Sequence, residues 1–550
     1  MRRLPRLALL LLCLAYILPG FLGREPWKSS DMAGFGYMSA LAQGRSDWLH
    51  PQLLGLDPQV PALLPYWLGA WAMQVAPGWV AADFAARIPF ILLLALTLAA
   101  TWYGVYYLAR GRLAQPLSFA FGGEARPKDY ARAVADGGLM ALIASLGLAQ
   151  LSHETTPALA QLSFCALSFY GLATMPYHPL GGRVGLTLGL CGLGLSGAPA
   201  MALLLGLGGA LVDLLDPDTP RAGGRWGHDR WSILAIAMLG AALAWALDQF
   251  RWRVQLPDSS WQEWRSLARL WLWFSWPAWP LALWTVWRWH RQRWSRHMAL
   301  PLLFAVTGFG VSLCMDGTDR ALLLTLPAMA ALAAFSLPTL SRSMSALIDW
   351  FTLLFFSGCA ITIWVIWIAM QTGVPPRIAA NIVRLFPGFV PSFSALHFLL
   401  ALLATSSWIW LVRWRTGRQR AAIWKSLVLP AGGAALSLLL LMTLWLPLGN
   451  FARSYAPLVH RVAALIEPRG CVQVHGLTRA QIAAFQFHGA LDLHATDSSV
   501  RCEWLLVDID ARATLARAVN MSEWTLRAKL RRPSDDNEDV LLFRRLPTSP

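Results

Sequence analysis

The acid best placed for chemistry in this sequence is Asp31, in Arg24-Glu25-Pro26-Trp27-Lys28-Ser29-Ser30-Asp31, a few residues beyond a long apolar N-terminal run. A carboxylate at a membrane surface can take a proton from a hydroxyl, while a departing phosphate needs cations rather than protonation. Asp31 suits a second role as well, as the cap of a helix beginning near Met32. Another acid lies in His153-Glu154, a pair that fits a sugar or metal ligand, or a loop that satisfies its own polar groups. His475, His488 and His494 fall on separate predicted elements with no metal-ligand spacing and read as surface residues.

The elements that hold these residues are set by composition. The chain has 550 residues, is 56% hydrophobic and only 14% charged, and has a mean hydropathy of +0.46, too apolar for a soluble globule. About thirteen apolar stretches of bilayer-spanning length can be drawn. The first runs from Leu4 to Leu22 and reads as an uncleaved anchor, because Leu18 to Glu25 lacks a small-x-small cleavage site. The others lie near 86–109, 133–152, 157–175, 184–198, 200–214, 231–248, 267–287, 298–314, 320–337, 346–370, 393–413 and 426–447. Residues 184–214, rich in glycine, fit two short spans meeting at a tip or one span and a re-entrant segment.

The formal charge of +16 raises nucleic-acid binding, but the basic residues cluster in short loops. Arg110, Arg112, Arg126, Lys128 and Arg132 share one, Arg288, Arg291, Arg293 and Arg296 another, and Arg413, Arg415, Arg418, Arg420 and Lys425 a third. All lie on one side by span count, so positive-inside topology explains the charge and no nucleic acid is expected. With the N-terminus cytoplasmic and an odd number of spans, the C-terminal segment falls outside the cytoplasm. The expected division is a membrane domain, 1–448, with a large external loop at 23–82, and a small external α/β domain at 449–550.

That loop is broken by Pro26, Pro51, Pro58, Pro61 and Pro65, and predicts short interfacial helices over Met32–Gln43 and Leu63–Gln74, with Trp48, Trp67 and Trp71 at headgroup depth. The tail predicts strands at Val472–His475, Leu491–His494 and Glu503–Asp508, and a helix at Thr478–Phe487. Cys471 and Cys502 fit either a disulfide or two free thiols, whereas Cys13, Cys165, Cys191, Cys314 and Cys359 read as packing residues.

Several short motifs occur in a fixed order: Trp27 to Asp31, Ser46-Asp47-Trp48-Leu49, Pro65-Tyr66-Trp67-Leu68, Ala85-Ala86-Arg87-Ile88-Pro89, Leu195-Ser196-Gly197-Ala198-Pro199 and Asp319-Arg320 through Pro327. In that order they resemble the bacterial membrane glycosyltransferases related to protein O-mannosyltransferases and lipid A aminoarabinose transferases. The resemblance covers nearly the whole chain. It implies a GT-C fold and an inverting transfer of a sugar from a polyprenyl-phosphate carrier to a lipid, glycan or protein acceptor, at the periplasmic face of a bacterial inner membrane. Asp31 matches the position of the family's base.

The chain departs from the family pattern at the acid after that Asp, here Met32, at an Arg-Tyr that is Gly34-Phe35, and at a Lys-Pro-Pro absent between Gln59 and Leu64. Other cations must therefore balance a lipid phosphate. Lys28, Arg87 and Arg320 are the candidates, with Arg251, Arg253 and Arg265 behind them; Arg87 and Arg320 also suit snorkelling at span ends. Tyr66, Trp67, His153 and Glu154 complete the expected substrate-binding set. Some relatives hold a divalent metal, but no cofactor is expected here. The competing readings are a catalytically silent scaffold and a transporter, the latter needing ionisable residues along a path through the spans.

Overall fold

The structure, a computed structural model, describes residues 5–116, 126–217, 227–250, 254–257, 260–315, 319–416, 423–466, 470–496, 498, 500–533, 535 and 538–546. Arg251, Arg253, Arg418 and Arg420 lie outside them. The first helices are α1 (Arg6–Ile17), α2 (Ser30–Ala42), α3 (Leu64–Val75), α4 (Ala82–Ala109), α5 (Pro127–Ala144), α6 (Leu146–Leu151), α7 (Pro157–Thr174), α8 (Pro179–Leu195) and α9 (Pro199–Leu215). Proline stands in the first turn of α3, α5, α7, α8 and α9. Its fixed φ suits a helix there, and its missing N–H has no partner to lose.

Among the described residues, seven helices are long and apolar enough to cross a membrane: α4 and those over Asp229–Ala246, Arg296–Cys314, Asp319–Thr339, Arg342–Thr372, Ala395–Thr416 and Trp424–Leu444. The chain is a multi-pass membrane protein. Residues 184–214 form α8 and α9 joined at a tip, where Gly197 has φ of +86° and a Cβ would lie 2.6 Å from the Pro61 carbonyl oxygen. The 267–287 stretch is two helices, Trp261–Phe274 and Ala278–Arg288, interrupted at Pro277. The 133–152 stretch is likewise divided, between α5 and α6 at Ser145.

In lipid the hydrophobic effect gives helices little reason to associate, so close backbone packing has to supply it. The α7–α8 pair shows this: a Cβ on Gly171 would lie 2.5 Å from the Leu186 nitrogen. The Asp319–Thr339 span is central, with 94% of its apolar window buried, whereas Ala395–Thr416 is peripheral at 11%. The central span carries Arg320 at its first turn, next to the α6–α7 loop.

In the long loop at 23–82, both expected helices form. α2 is covered by protein, with Asp31 and every residue from Gly34 to Leu41 buried, while α3 leaves Trp71 and Val75 exposed. The tail is a five-stranded sheet, β1 (Cys471–His475), β2 (Asp492–Ala495), β3 (Trp504–Asp508), β4 (Trp524–Arg531) and β5 (Asp539–Arg545), in the order β2-β1-β3-β5-β4. β2, β1 and β3 are parallel, and β3, β5 and β4 antiparallel. The helix Arg479–His488 starts with a Thr478–Gln481 capping box and packs on α2. A Cβ on Gly36 would lie 2.4 Å from Ala483 Cβ, so the two helices touch. One hydrophobic core runs without a break from Tyr16 through the bundle to Leu542 in the tail.

Cys471 and Cys502 form a disulfide between the start of β1 and the chain entering β3, with Cα atoms 5.2 Å apart and a sequence separation of 31. Closing a loop of that length stabilises a domain by about 2–4 kcal/mol. Alkylation with mass readout is expected to modify Cys471 and Cys502 only after reduction, and Cys471→Ser to lower the tail's unfolding midpoint. Both thiols reacting without reductant would contradict the pairing.

Candidate active site

Asp31 sits in the first turn of α2, and its carboxylate is 3% exposed. It does not cap that helix. Oδ1 accepts from the Thr155 backbone N–H at 2.7 Å and the Thr155 hydroxyl at 2.6 Å. Oδ2 accepts from Arg24 Nη2 at 2.7 Å and the Trp27 N–H at 3.1 Å. Burial opposes the charge, but Arg24, Arg87 and the two Thr155 bonds outweigh it and hold the carboxyl below its ordinary range. A Cβ on Gly34 would lie 2.6 Å from the Thr155 carbonyl oxygen. That close approach brings Thr155 onto Asp31, and it explains why glycine stands at this position.

Arg24 is itself buried, donating to the His153 carbonyl at 2.8 Å and lying 4.1 Å above the Trp27 ring. His153 is also buried, with Nε2 3.0 Å from the Tyr16 carbonyl and its ring against Tyr16 and Phe21. Burial pushes its pKa down to about 4, so it is a neutral packing residue that holds the α6–α7 loop against α1.

Beside this anchor lies a cavity of about 1240 Å³, bounded by the first loop, the α8–α9 tip, the start of the central span and the tail. Ser30, Ala33, Gly34 and Thr156 form the wall next to Asp31, placing the carboxylate one layer behind the surface. Arg320 lines the cavity and is paired with Glu154 at 2.9 Å and Asp319 at 3.8 Å. Burial raises the Glu154 pKa, and Arg320 opposes that rise. Glu154 therefore stands behind Arg320 and orients it. Tyr66 lines the cavity too, its ring 5.3 Å from that of Tyr37.

The other expected residues are placed differently. Lys28 is occupied by the tail, its ammonium bound to Asp535 and, at 3.3 Å, to Glu538. Arg87 is 4% exposed and pairs with Asp83 at 3.3 Å, so it is buried rather than snorkelling, and it acts on Asp31 through its field. Trp67 turns away from the cavity, donating to the Trp48 carbonyl at 2.8 Å and packing on Trp71. In the tail all three histidines are half-buried: His475 contacts Thr514, His494 pairs with Asp492, and His488 packs on Phe487 and His460. Among the described residues no three His, Cys, Asp or Glu side chains converge as a metal site.

Sequence reasoning missed Arg24, Thr155 and Arg479. Arg24 offered a hint, a cation seven residues before the key acid where span one ends. Thr155 offered only its adjacency to His153-Glu154, and Arg479 offered none, since a tail lying over the cavity can be expected from sequence but which of its side chains reaches the wall cannot.

The sequence matches no protein-family model and no curated protein. Its structure resembles that of ArnT from Cupriavidus metallidurans bound to undecaprenyl phosphate, at 15% identity and a TM-score of 0.61, over 98% of this chain and 97% of that one. The apo state of the same ArnT gives 14% identity and a TM-score of 0.60 over the same shares. At this identity the likeness establishes architecture: over nearly its whole length, the chain has the GT-C fold of the ArnT structures.

Proposed function

We propose that this protein is an inverting glycosyltransferase that moves a sugar from a polyprenyl-phosphate carrier to an envelope acceptor at the periplasmic face of a bacterial inner membrane. The observation that carries this reading is the cavity, which holds Arg320 and Tyr66 on its walls and Asp31 one layer behind them. The similar ArnT structure binds undecaprenyl phosphate. The clustering of basic residues in the short loops and the tail disulfide support an external cavity and tail, with the N-terminus cytoplasmic.

In this scheme the acceptor oxygen attacks the anomeric carbon, the bond to the carrier's phosphate oxygen breaks, and the hydroxyl proton passes to Asp31. The carrier departs as a phosphate dianion, and Arg320 stabilises that charge as it develops. Asp31 reaches the acceptor when the Thr155 hydroxyl turns away and the substrate hydroxyl takes its place at Oδ1, one hydroxyl exchanged for another. The remaining donors keep the carboxylate oriented throughout.

One observation favours a second reading. Four donors already satisfy Asp31, as they would in a silent scaffold that uses the acid only to join the first loop to α7. The two readings separate in reconstituted membranes. A base predicts that Asp31→Asn reduces transfer by about 10²–10⁴-fold, with carrier-linked sugar accumulating as one envelope glycan loses the same mass. Unchanged lipid and glycan mass profiles in Asp31→Asn would establish the scaffold.

Thr155→Val supplies an independent check. Losing the hydroxyl donor raises the Asp31 pKa, so the acidic limb of the kcat/KM profile is expected to move to higher pH while transfer persists. A profile that does not move would remove Asp31 from the titrating step. Stability follows the sign of the Asp31 shift. Its folded pKa lies below the unfolded value near 3.8, so its contribution is full above that value and lost as pH falls through the folded pKa. The difference in melting temperature between wild type and Asp31→Asn should thus be flat from neutral pH to about pH 4–5 and shrink only below. A difference that fades near pH 6 would show that the carboxylate is not held as described.

A further inference from the structure

The cavity wall carries the carboxylates of Asp57, Asp248, Asp319 and Glu538 beside two arginines, Arg320 and Arg479. Arg320 already faces Glu154 and Asp319, and the Glu538 carboxylate is shared between Lys28 and Arg532. The other arginine on the wall, Arg479, belongs to the tail. Its Nε donates to the backbone carbonyl of Asp57 at 2.6 Å, and its guanidinium lies beside the Tyr37 phenol. No ion pair among the described residues involves it. The residue is also fixed in place. The Thr478–Gln481 box sets the start of its helix, and the Gly36–Ala483 contact seats that helix on α2.

An arginine held by Nε on a cavity wall presents its terminal N–H groups as a planar fork, the shape that binds an oxyanion through two parallel hydrogen bonds. The first loop puts no such group on the cavity wall: Lys28 is taken by tail carboxylates, Arg24 is buried in the Asp31 anchor with Arg87 of α4, and Arg45 does not line the cavity. We infer that Arg479 binds a phosphate group of the substrate, so that the tail domain supplies a cation of the binding site that the first loop lacks. This rests on the reading of the cavity as a transferase site. Two sources present this chemistry, the phosphate of the lipid carrier and a phosphate carried by a saccharide acceptor.

The test uses the full chain in lipid nanodiscs and dissociation constants for two probes, undecaprenyl phosphate and glucosamine 1-phosphate, each beside its neutral counterpart, undecaprenol or glucosamine. Arg479→Ala is expected to weaken one phosphorylated probe by about 10-fold or more, the loss of a charge-assisted hydrogen bond, and to leave the neutral compounds unchanged. Arg479→Lys should recover part of the affinity. Weakened undecaprenyl phosphate assigns the site to the donor, and weakened glucosamine 1-phosphate to the acceptor. Should Arg479→Ala misfold, Arg479→Gln, which keeps a donor for the Asp57 carbonyl without the charge, gives the same comparison. Wild-type binding of undecaprenyl phosphate with neither probe weakened in the variants overturns this inference and leaves the transferase reading standing. Failure of the wild type to bind undecaprenyl phosphate, with Arg479-dependent binding of glucosamine 1-phosphate intact, does the reverse. Binding of neither phosphorylated probe by the wild type overturns both.

Discussion

A buried carboxylate must be paid for with hydrogen bonds, and Asp31 is the point on which the cavity end of this protein is organised. Its four donors come from separate parts of the chain: Arg24 and Trp27 from the segment leaving α1, and the Thr155 amide and hydroxyl from the α6–α7 loop. An unpaired carboxylate this deep would cost roughly several kcal/mol. The fold therefore closes only when the first loop and the α6–α7 loop meet. His153 and Gly34 make that meeting possible, one by filling the gap beneath Gly20 and the other by having no side chain in the way.

The tail is built into the same arrangement. Its capped helix rests on α2, and Lys28 reaches Asp535 and Glu538 beyond β4. Arg532 is 3% exposed, lies 5.5 Å from the Tyr455 ring and pairs with both carboxylates, so the turn between β4 and β5 is held against the first loop. These contacts explain why hydrophobic core runs on from bundle to tail. They also make the cavity wall a joint product of loop, span and tail, with Arg320 and Arg479 arriving from elements far apart in sequence.

Much of the fold was legible beforehand because bilayer-length apolar runs and alternating strands leave strong one-dimensional patterns. The spans near 298–314, 346–370 and 393–413, the helices of the first loop, and β1, β2 and β3 all lie close to where hydropathy and alternation put them. β4 and β5 were missed: Trp524–Arg531 interleaves Arg527, Lys529 and Arg531 with its apolar residues and reads as a polar surface stretch. The site was harder to read, because a side chain's charge is visible in sequence and its partner is not. Lys28, Arg87 and Arg320 looked alike as cations near the outer face, yet folding binds the first to tail carboxylates, buries the second beside Asp83 and leaves the third on the cavity. Trp67 and His153 were drawn away from the cavity by a Trp48 carbonyl and a Tyr16 carbonyl that only tertiary structure supplies.

The central claim is that this cavity receives a polyprenyl phosphate, and the most direct measurement is an experimental structure of the full chain in nanodiscs with undecaprenyl phosphate. The account predicts the phosphate inside the cavity within hydrogen-bonding distance of Arg320, with Asp31 still joined to Arg24. A lipid phosphate seated outside the cavity, or a cavity that stays empty at saturating lipid, would contradict it.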